Sequence, residues 1–382
     1  MMRNEKQQDA IRGCLYGGAV GDALGYEVEF WDEEQIFEAY GPDGITAYEK
    51  DRGSGKALIS DDTQMSLFTA NGILVGDTEA ALRGSHGWPR EYVMKAYKDW
   101  LKTQELEEQQ EYRADGARHS WLLDVPELHA RRAPGRTCLS ALEDGEEYED
   151  YVRAKRNCSK GCGGIMRVAP LGVWRPAEDV RALDMEGAQL AAITHGHSLG
   201  YMPAAVLVHL LQRIVFPPEG KSLSLKEIVL EARDAAADLF AGDPHLAGLL
   251  DIIDRAVGLS ENGAPDDLDN IRRLGEGWVA EETLGIALYC ALRHPTDFSA
   301  GVVAAVNHSG DSDSTGAVTG NILGALLGYG GIEEKWKEDL EISDVILEIA
   351  DDLCHGCRVS ASGRCADPEW EEKYVAMRRP RR

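Results

Sequence analysis

Apolar residues recur along much of this chain at intervals of three and four, the spacing that lines one face of a helix. The period is clearest over Tyr92 to Leu101, Met185 to Thr194, Pro203 to Val215, Leu225 to Phe240, Glu282 to Leu292 and Val345 to Cys354. Each run predicts an amphipathic helix. Alternation at every second position, the mark of a half-buried strand, is nearly absent. Breakers fall between the runs, at Pro217-Pro218-Glu219-Gly220, Asn262-Gly263-Ala264-Pro265 and Arg293-His294-Pro295. None is long enough for a domain linker. The pattern therefore predicts one all-α domain over residues 1–382, with residues 366–382 a flexible tail ending in the basic run Arg378 to Arg382.

Glycine adds a second period. It falls every fourth residue at Gly13, Gly17, Gly21 and Gly25, and again at Gly316, Gly320, Gly324 and Gly328. Inside a helix each glycine costs about 0.5–1 kcal/mol relative to alanine, so two fourfold stripes predict two helices packed backbone to backbone. The alternative is that both stretches are loops.

Hydrophobic residues make up 43% of the chain and charged residues 28%, with a mean hydropathy of -0.32. That balance is globular rather than disordered or membrane-spanning. Residues Met1 to Ala10 are polar and carry no apolar signal segment, from which a cytoplasmic protein is expected. The 66 acidic residues against 40 basic ones leave a net charge of -26, which argues against binding a nucleic-acid backbone and for attraction of divalent cations. The acidic runs Glu105 to Glu111 and Glu143 to Asp150 read as solvated faces or loops. Eight cysteines are too scattered for a disulfide framework. Cys354, His355, Cys357 and Cys365 contain one C-x-x-C fragment but no second pair, so zinc is not expected there.

Candidate chemistry lies at two acidic motifs. Ser60-Asp61-Asp62-Thr63 opens an apolar run, and taken alone it is a helix cap, with Asp61 and Gln64 at a capping-box spacing. Two carboxylates and a hydroxyl at a helix start can also hold a hard cation. The second motif, Asp311-Ser312-Asp313-Ser314-Thr315, opens the second glycine stripe, and in extended backbone its two aspartates would point the same way. Four aspartates and two hydroxyls form the oxygen-rich set that magnesium or manganese prefers. A glycine-rich loop, Asn157 to Gly164, offers backbone N–H groups to a phosphate.

With these residues in view the chain resembles the ADP-ribosylglycohydrolases, which include the ADP-ribosylarginine hydrolases and the dinitrogenase reductase-activating glycohydrolase. The resemblance runs through Gly17 to Gly25, Ser60 to Thr63, Ala133 to Cys138, Ser159 to Arg167, Thr194-His195, Trp278 to Leu292 and Asn307 to Gly328. It implies a single-domain helical bundle around two metal ions, magnesium or manganese. It implies Ser60, Asp61, Asp62, Asp311, Asp313 and Ser314 as ligands, with Thr315 the rival of Ser314. It implies catalytic roles for Glu29, Asp62 and Asp311, with Glu27 the rival of Glu29. Ser159, Lys160, Gly161, Cys162 and Gly163 would hold the diphosphate of ADP-ribose, and His195 would lie near a ribose. Cys162 departs from the family's frequent asparagine, which puts that side-chain contact in doubt. His197 is read as structural or surface.

The activity so implied is removal of ADP-ribose from a modified protein, with free ADP-ribose as product and arginine as the favoured linkage. The anomeric carbon of a ribose departs with oxocarbenium character, and a dinuclear centre can grip the sugar hydroxyls and orient a water. Serine or another conjugate is the second reading. A binding module without catalysis, or a protein that neutralises an ADP-ribosylating toxin, belongs to a different class, and the intact ligand set argues against the first of these.

Overall fold

The structure is a computed structural model and describes residues 3–84, 89–105, 117–220, 222–359 and 367–380. Among the described residues, eleven helices of nine or more residues carry it: α1 (Glu5–Tyr26), α2 (Asp61–Arg83), α3 (Pro89–Thr103), α4 (Val180–Ala192), α5 (Ser198–Val215), α6 (Leu225–Leu239), α7 (Leu246–Asn262), α8 (Ala280–Arg293), α9 (Phe298–Val306), α10 (Ser312–Leu327) and α11 (Ser343–His355). Among the described residues β-structure is limited to two isolated bridges, Ala57 with Leu340 and Gly161 with Val279. The all-α expectation holds.

Every predicted helical run lies mostly on a helix. The boundaries differ where caps decide them. α5 starts at Ser198 rather than Pro203, because the His197 side chain accepts from the Leu199 N–H and caps the helix early. Pro203 then sits inside the helix, at the loss of one backbone bond. This helix is long and apolar enough to cross a membrane, yet 83% of it is buried inside the protein, where it serves as core.

Both glycine stripes are helical, and they pack on each other. Gly13 faces Gly324, Gly17 faces Gly320, and Gly21 faces Gly316, so α1 and α10 run antiparallel. A methyl added at any of these would overlap the facing carbonyl oxygen; at Gly320 it would also stand 2.6 Å from the Gly17 carbonyl carbon. Asn321 fixes the register by donating its amide to the Cys14 carbonyl at 2.8 Å. Gly328 ends α10 as its C-cap at φ 78°, just past the helix, with its backbone still against Gly13.

The expected flexible tail is corrected. Pro368–Tyr374 is a helix, and it buries Trp370 and Tyr374. The Trp370 indole donates to Thr78 Oγ1 at 3.0 Å and the Tyr374 hydroxyl to Asp352 at 2.6 Å. Two large aromatics four residues apart form an apolar stripe that a charged surrounding sequence conceals. Further on, Arg379 pairs with Asp344. Residues 106–111 of the first acidic run lie outside the described residues, whereas Glu143 to Glu147 are exposed as expected. Cys365 is also outside them; the Cys354 thiol is directed to the Gln8 carbonyl, and Cys357 Sγ lies beside Thr78 Oγ1.

Candidate active site

The N-termini of α2 and α10 meet beside the C-terminal part of α1, at Asp22 and Gly25. Ser60 caps α2, its hydroxyl accepting from the Asp62 N–H at 3.2 Å. The capping-box spacing of Asp61 and Gln64 is not used, since Gln64 instead donates to the Ala130 carbonyl and accepts from Trp100. Asp22, on α1 next to Gly21, accepts from the Ser60 N–H at 3.0 Å, the Thr63 N–H at 3.0 Å and the Thr63 hydroxyl. It thereby pins the first acidic motif to α1. The second motif is pinned to the same helix through the glycine contacts, so α1 sets the distance between the two motifs.

Asp311 caps α10 and Asp313 lies in its first turn, both accepting from the Ser314 N–H, at 3.3 and 2.9 Å. The turn of a helix, not an extended segment, brings the two carboxylates together. Thr315 donates inward to the Ala305 and Asp311 carbonyls and adjoins His308, which leaves Ser314 as the hydroxyl on the cavity wall. Glu29 is buried on the same wall, whereas Glu27 is exposed.

Six carboxyl groups are thus buried together: Asp22, Glu29, Asp61, Asp62, Asp311 and Asp313. Burial first, and then the neighbouring charge of Asp313, raises the pKa of Asp61, Asp62 and Glu29 far above the carboxylate range. Asp313 is raised by burial and by Asp311. Both helix N-termini favour negative charge there, but each dipole end amounts to about half a charge. Asp62 Oδ2 and Glu29 Oε2 are buried without a hydrogen-bond partner. Orphaned anionic oxygens of this kind fit hard cations. Among the described residues, no three His, Cys, Asp or Glu side chains close on one metal position.

The wall bounds a cavity of about 570 Å³. Its other side is the glycine loop, held to the start of α8 by Cys162 N–H to the Trp278 carbonyl at 3.3 Å and Ala280 N–H to the Lys160 carbonyl at 2.9 Å. Side chains at Gly161 or Gly163 would press on His195, within 3.2 and 2.9 Å of its ring, so glycine lets the loop lie against the imidazole. Gly161, Cys162, Gly163 and His195 line the cavity. Ser159 and Lys160 do not line it: Ser159 hydrogen-bonds Thr137 and Lys160 turns to Glu281. The Cys162 thiol donates to Asp311 Oδ2 at 2.8 Å, linking the loop to the acidic wall.

His195 has its ring orientation set from behind. Buried Arg167 donates to Thr194 Oγ1 at 2.6 Å, and Thr194 Oγ1 lies 2.8 Å from His195 Nδ1. The hydroxyl thus ties Nδ1 to the buried guanidinium and leaves Nε2 facing the glycine loop. Burial and the Arg167 charge lower the His195 pKa to about 3, which keeps the ring neutral.

The sequence profile of the ADP-ribosylglycohydrolase family matches residues 3–363. The chain belongs to that family. It is similar to the mouse ADP-ribosylhydrolase ARH3, 25% identical over 88% of this chain and 90% of that one. It is also similar to the ADP-ribosyl-[dinitrogen reductase] glycohydrolase of Rhodospirillum rubrum, 21% identical over 89% and 93%. A solved ADP-ribosylglycohydrolase-related protein shares the fold, with a TM-score of 0.60 and 24% identity over 92% of this chain and 99% of that one.

As an ADP-ribosylglycohydrolase the protein is a hydrolase of ADP-ribose conjugates, and its cavity gathers most of the residues that the sequence singled out. Three supports carried no local signal that marked their roles: Asp22 and Arg167 are single polar residues among apolar neighbours, and Thr194 precedes a histidine whose orientation it governs. Thr194→Val removes the acceptor of Arg167 and the hydroxyl partner of Nδ1. It is expected to cost about 1–3 kcal/mol in stability, read by thermal denaturation, and to weaken ADP-ribose binding several-fold by calorimetry. Unchanged binding would mean that the Thr194 hold on the His195 ring is immaterial.

Proposed function

We propose that this ADP-ribosylglycohydrolase hydrolyses the N-glycosidic bond between ADP-ribose and an arginine side chain of a modified protein, using two divalent cations, magnesium or manganese. The observation that carries the reading is the buried carboxylate wall with its orphaned Asp62 and Glu29 oxygens, facing a glycine loop across one cavity. Ser60, Asp61, Asp62, Asp311, Asp313 and Ser314 would hold the cations. Bound there, the cations would supply Lewis-acid grip on ribose hydroxyls and a water of lowered pKa.

The chain's own groups do the rest. Gly161, Cys162 and Gly163 receive the diphosphate at close approach, and His195 turns Nε2 to a substrate oxygen. Arg131 and Arg136, exposed at the same cavity, add positive charge for the diphosphate. Asp62 and Asp311 orient the reacting ribose from the wall. Glu29 is the acid–base group, buried beside the aspartates and free at Oε2 to take a proton. The relative named for dinitrogen reductase supports a protein substrate. A different ADP-ribose conjugate, serine-linked above all, is the alternative that the ARH3 relatives keep in play.

The test is release of free ADP-ribose from arginine-linked and serine-linked peptides with Mg²⁺, Mn²⁺ or chelator, wild type against Asp311→Asn. Metal-dependent release from the arginine peptide, lost in the variant, is expected. Release from the serine peptide alone would move the linkage. No release from either peptide, with ADP-ribose still bound, would overturn the catalytic reading.

A further inference from the structure

Large apolar side chains exposed to solvent are rare here: among the described residues they are Phe30, Trp278 and Val375. Two of the three touch. Phe30 is 70% exposed and Trp278 39% exposed, and their rings stack with centroids 6.0 Å apart and planes 23° apart. Both line the mouth of the cavity. Each is tied by its backbone to the chemistry. Phe30 follows Glu29 directly. Trp278 follows Gly277, where a side chain would press on Thr315 and on Asp311, and the Glu276 carbonyl accepts from the Asp311 N–H at 2.8 Å. The pair therefore stands over the acidic wall.

We infer that Phe30 and Trp278 form an aromatic seat for the planar guanidinium of the arginine leaving group, and so select arginine-linked over serine-linked ADP-ribose. This rests on the arginine reading proposed above. Arg131, Arg136 and the glycine loop supply the groups that suit a diphosphate, while Glu29, Asp311 and Asp313 border the reacting end. A leaving group departing from that end towards solvent passes the aromatic pair. A guanidinium is a weakly hydrated, delocalised cation that stacks on aromatic faces, and one held within about 6 Å of a ring centroid is attracted by the ring quadrupole. The carboxylates beneath add to its attraction. A serine side chain offers neither plane nor charge, and adenine offers a plane without the charge.

The experiment measures KM and kcat for arginine-linked and serine-linked peptides, together with affinity for free ADP-ribose, in metal-loaded wild type, Phe30→Ala, Trp278→Leu and Phe30→Tyr. In the first two variants KM for the arginine peptide should rise about 5- to 30-fold. Serine-peptide turnover and ADP-ribose affinity should stay within about twofold, and Phe30→Tyr, which keeps the ring, should behave as wild type. Phe30 is exposed enough that its truncation leaves the fold intact, so that variant alone decides the matter if Trp278→Leu is poorly soluble. An unchanged arginine KM in variants of an active enzyme overturns the seat and leaves the arginine reading standing. An equal loss of ADP-ribose affinity assigns the rings to the nucleotide and overturns it too. A wild type inactive on arginine peptides removes both.

Discussion

Gly320→Ala is expected to abolish soluble, folded protein. Its added methyl would overlap the Gly17 carbonyl oxygen and stand 2.6 Å from the carbonyl carbon. Overfilling a core by a methylene costs about 1–3 kcal/mol when side chains can yield. Here the neighbour is backbone on a buried helix, which cannot rotate away, so α1 and α10 must separate along their whole contact. A loss of several kcal/mol against a total near 5–15 kcal/mol leaves little folded population. Because Asp22 and the α10 start are positioned through this contact, any protein recovered should be inactive. Gly258→Ala is the control: it lies on an exposed face of α7 with nothing near the added methyl, and should stabilise by about 0.5–1 kcal/mol. Circular-dichroism melting compares the two. A Gly320→Ala protein melting within a degree or two of wild type would show that the helices are not rigidly apposed.

Asp313→Asn is expected to separate stability from activity. Asp313 is the first neighbouring charge felt by Asp61, Asp62 and Glu29, so its neutralisation relieves the whole wall. In metal-free protein these groups hold protons in the folded state that the unfolded chain has already lost. Unfolding therefore releases protons, and stability falls as pH rises above the ordinary carboxylate range. The divalent cations proposed above would replace those protons. At one fixed metal concentration, about 100 times the dissociation constant at pH 7, wild type should then gain roughly 5 °C in Tm at pH 7, and should gain more at pH 8 than at pH 6. The variant should melt higher than wild type without metal, respond less to pH and to metal, and lose activity by about a thousandfold or more. A metal-free Asp313→Asn protein that melts below wild type would contradict the electrostatic account.

Much of this architecture could be read from the chain alone. The three-and-four apolar spacing located the long helices, and glycine at every fourth residue announced a close backbone contact that the α1–α10 pairing realises. Both acidic motifs were recognisable as helix starts. What stayed hidden depends on partners distant in sequence. Asp22 acquires its role from Ser60 and Thr63, and Arg167 from Thr194. Phe30 and Trp278, nearly 250 residues apart, acquire theirs from each other. Ser159 and Lys160 share the loop with Gly161 yet are taken up elsewhere, by partners distant in sequence: Thr137 for Ser159 and Glu281 for Lys160. Trp370 and Tyr374 are too few to produce a visible period in a charged segment.

The pairing of α1 with α10 also has a history within each molecule's synthesis. Of the two helices α1 leaves the ribosome first, and the helix that fits its glycine face is encoded nearly 300 residues later. At about 5–20 residues per second, α1 waits roughly 15–60 s for that partner. During that interval Asp22 can already find Ser60 and Thr63, but the bare groove along α1 depends on other contacts or on chaperones for cover, and a chain truncated before Ser312 has nothing with which to fill it.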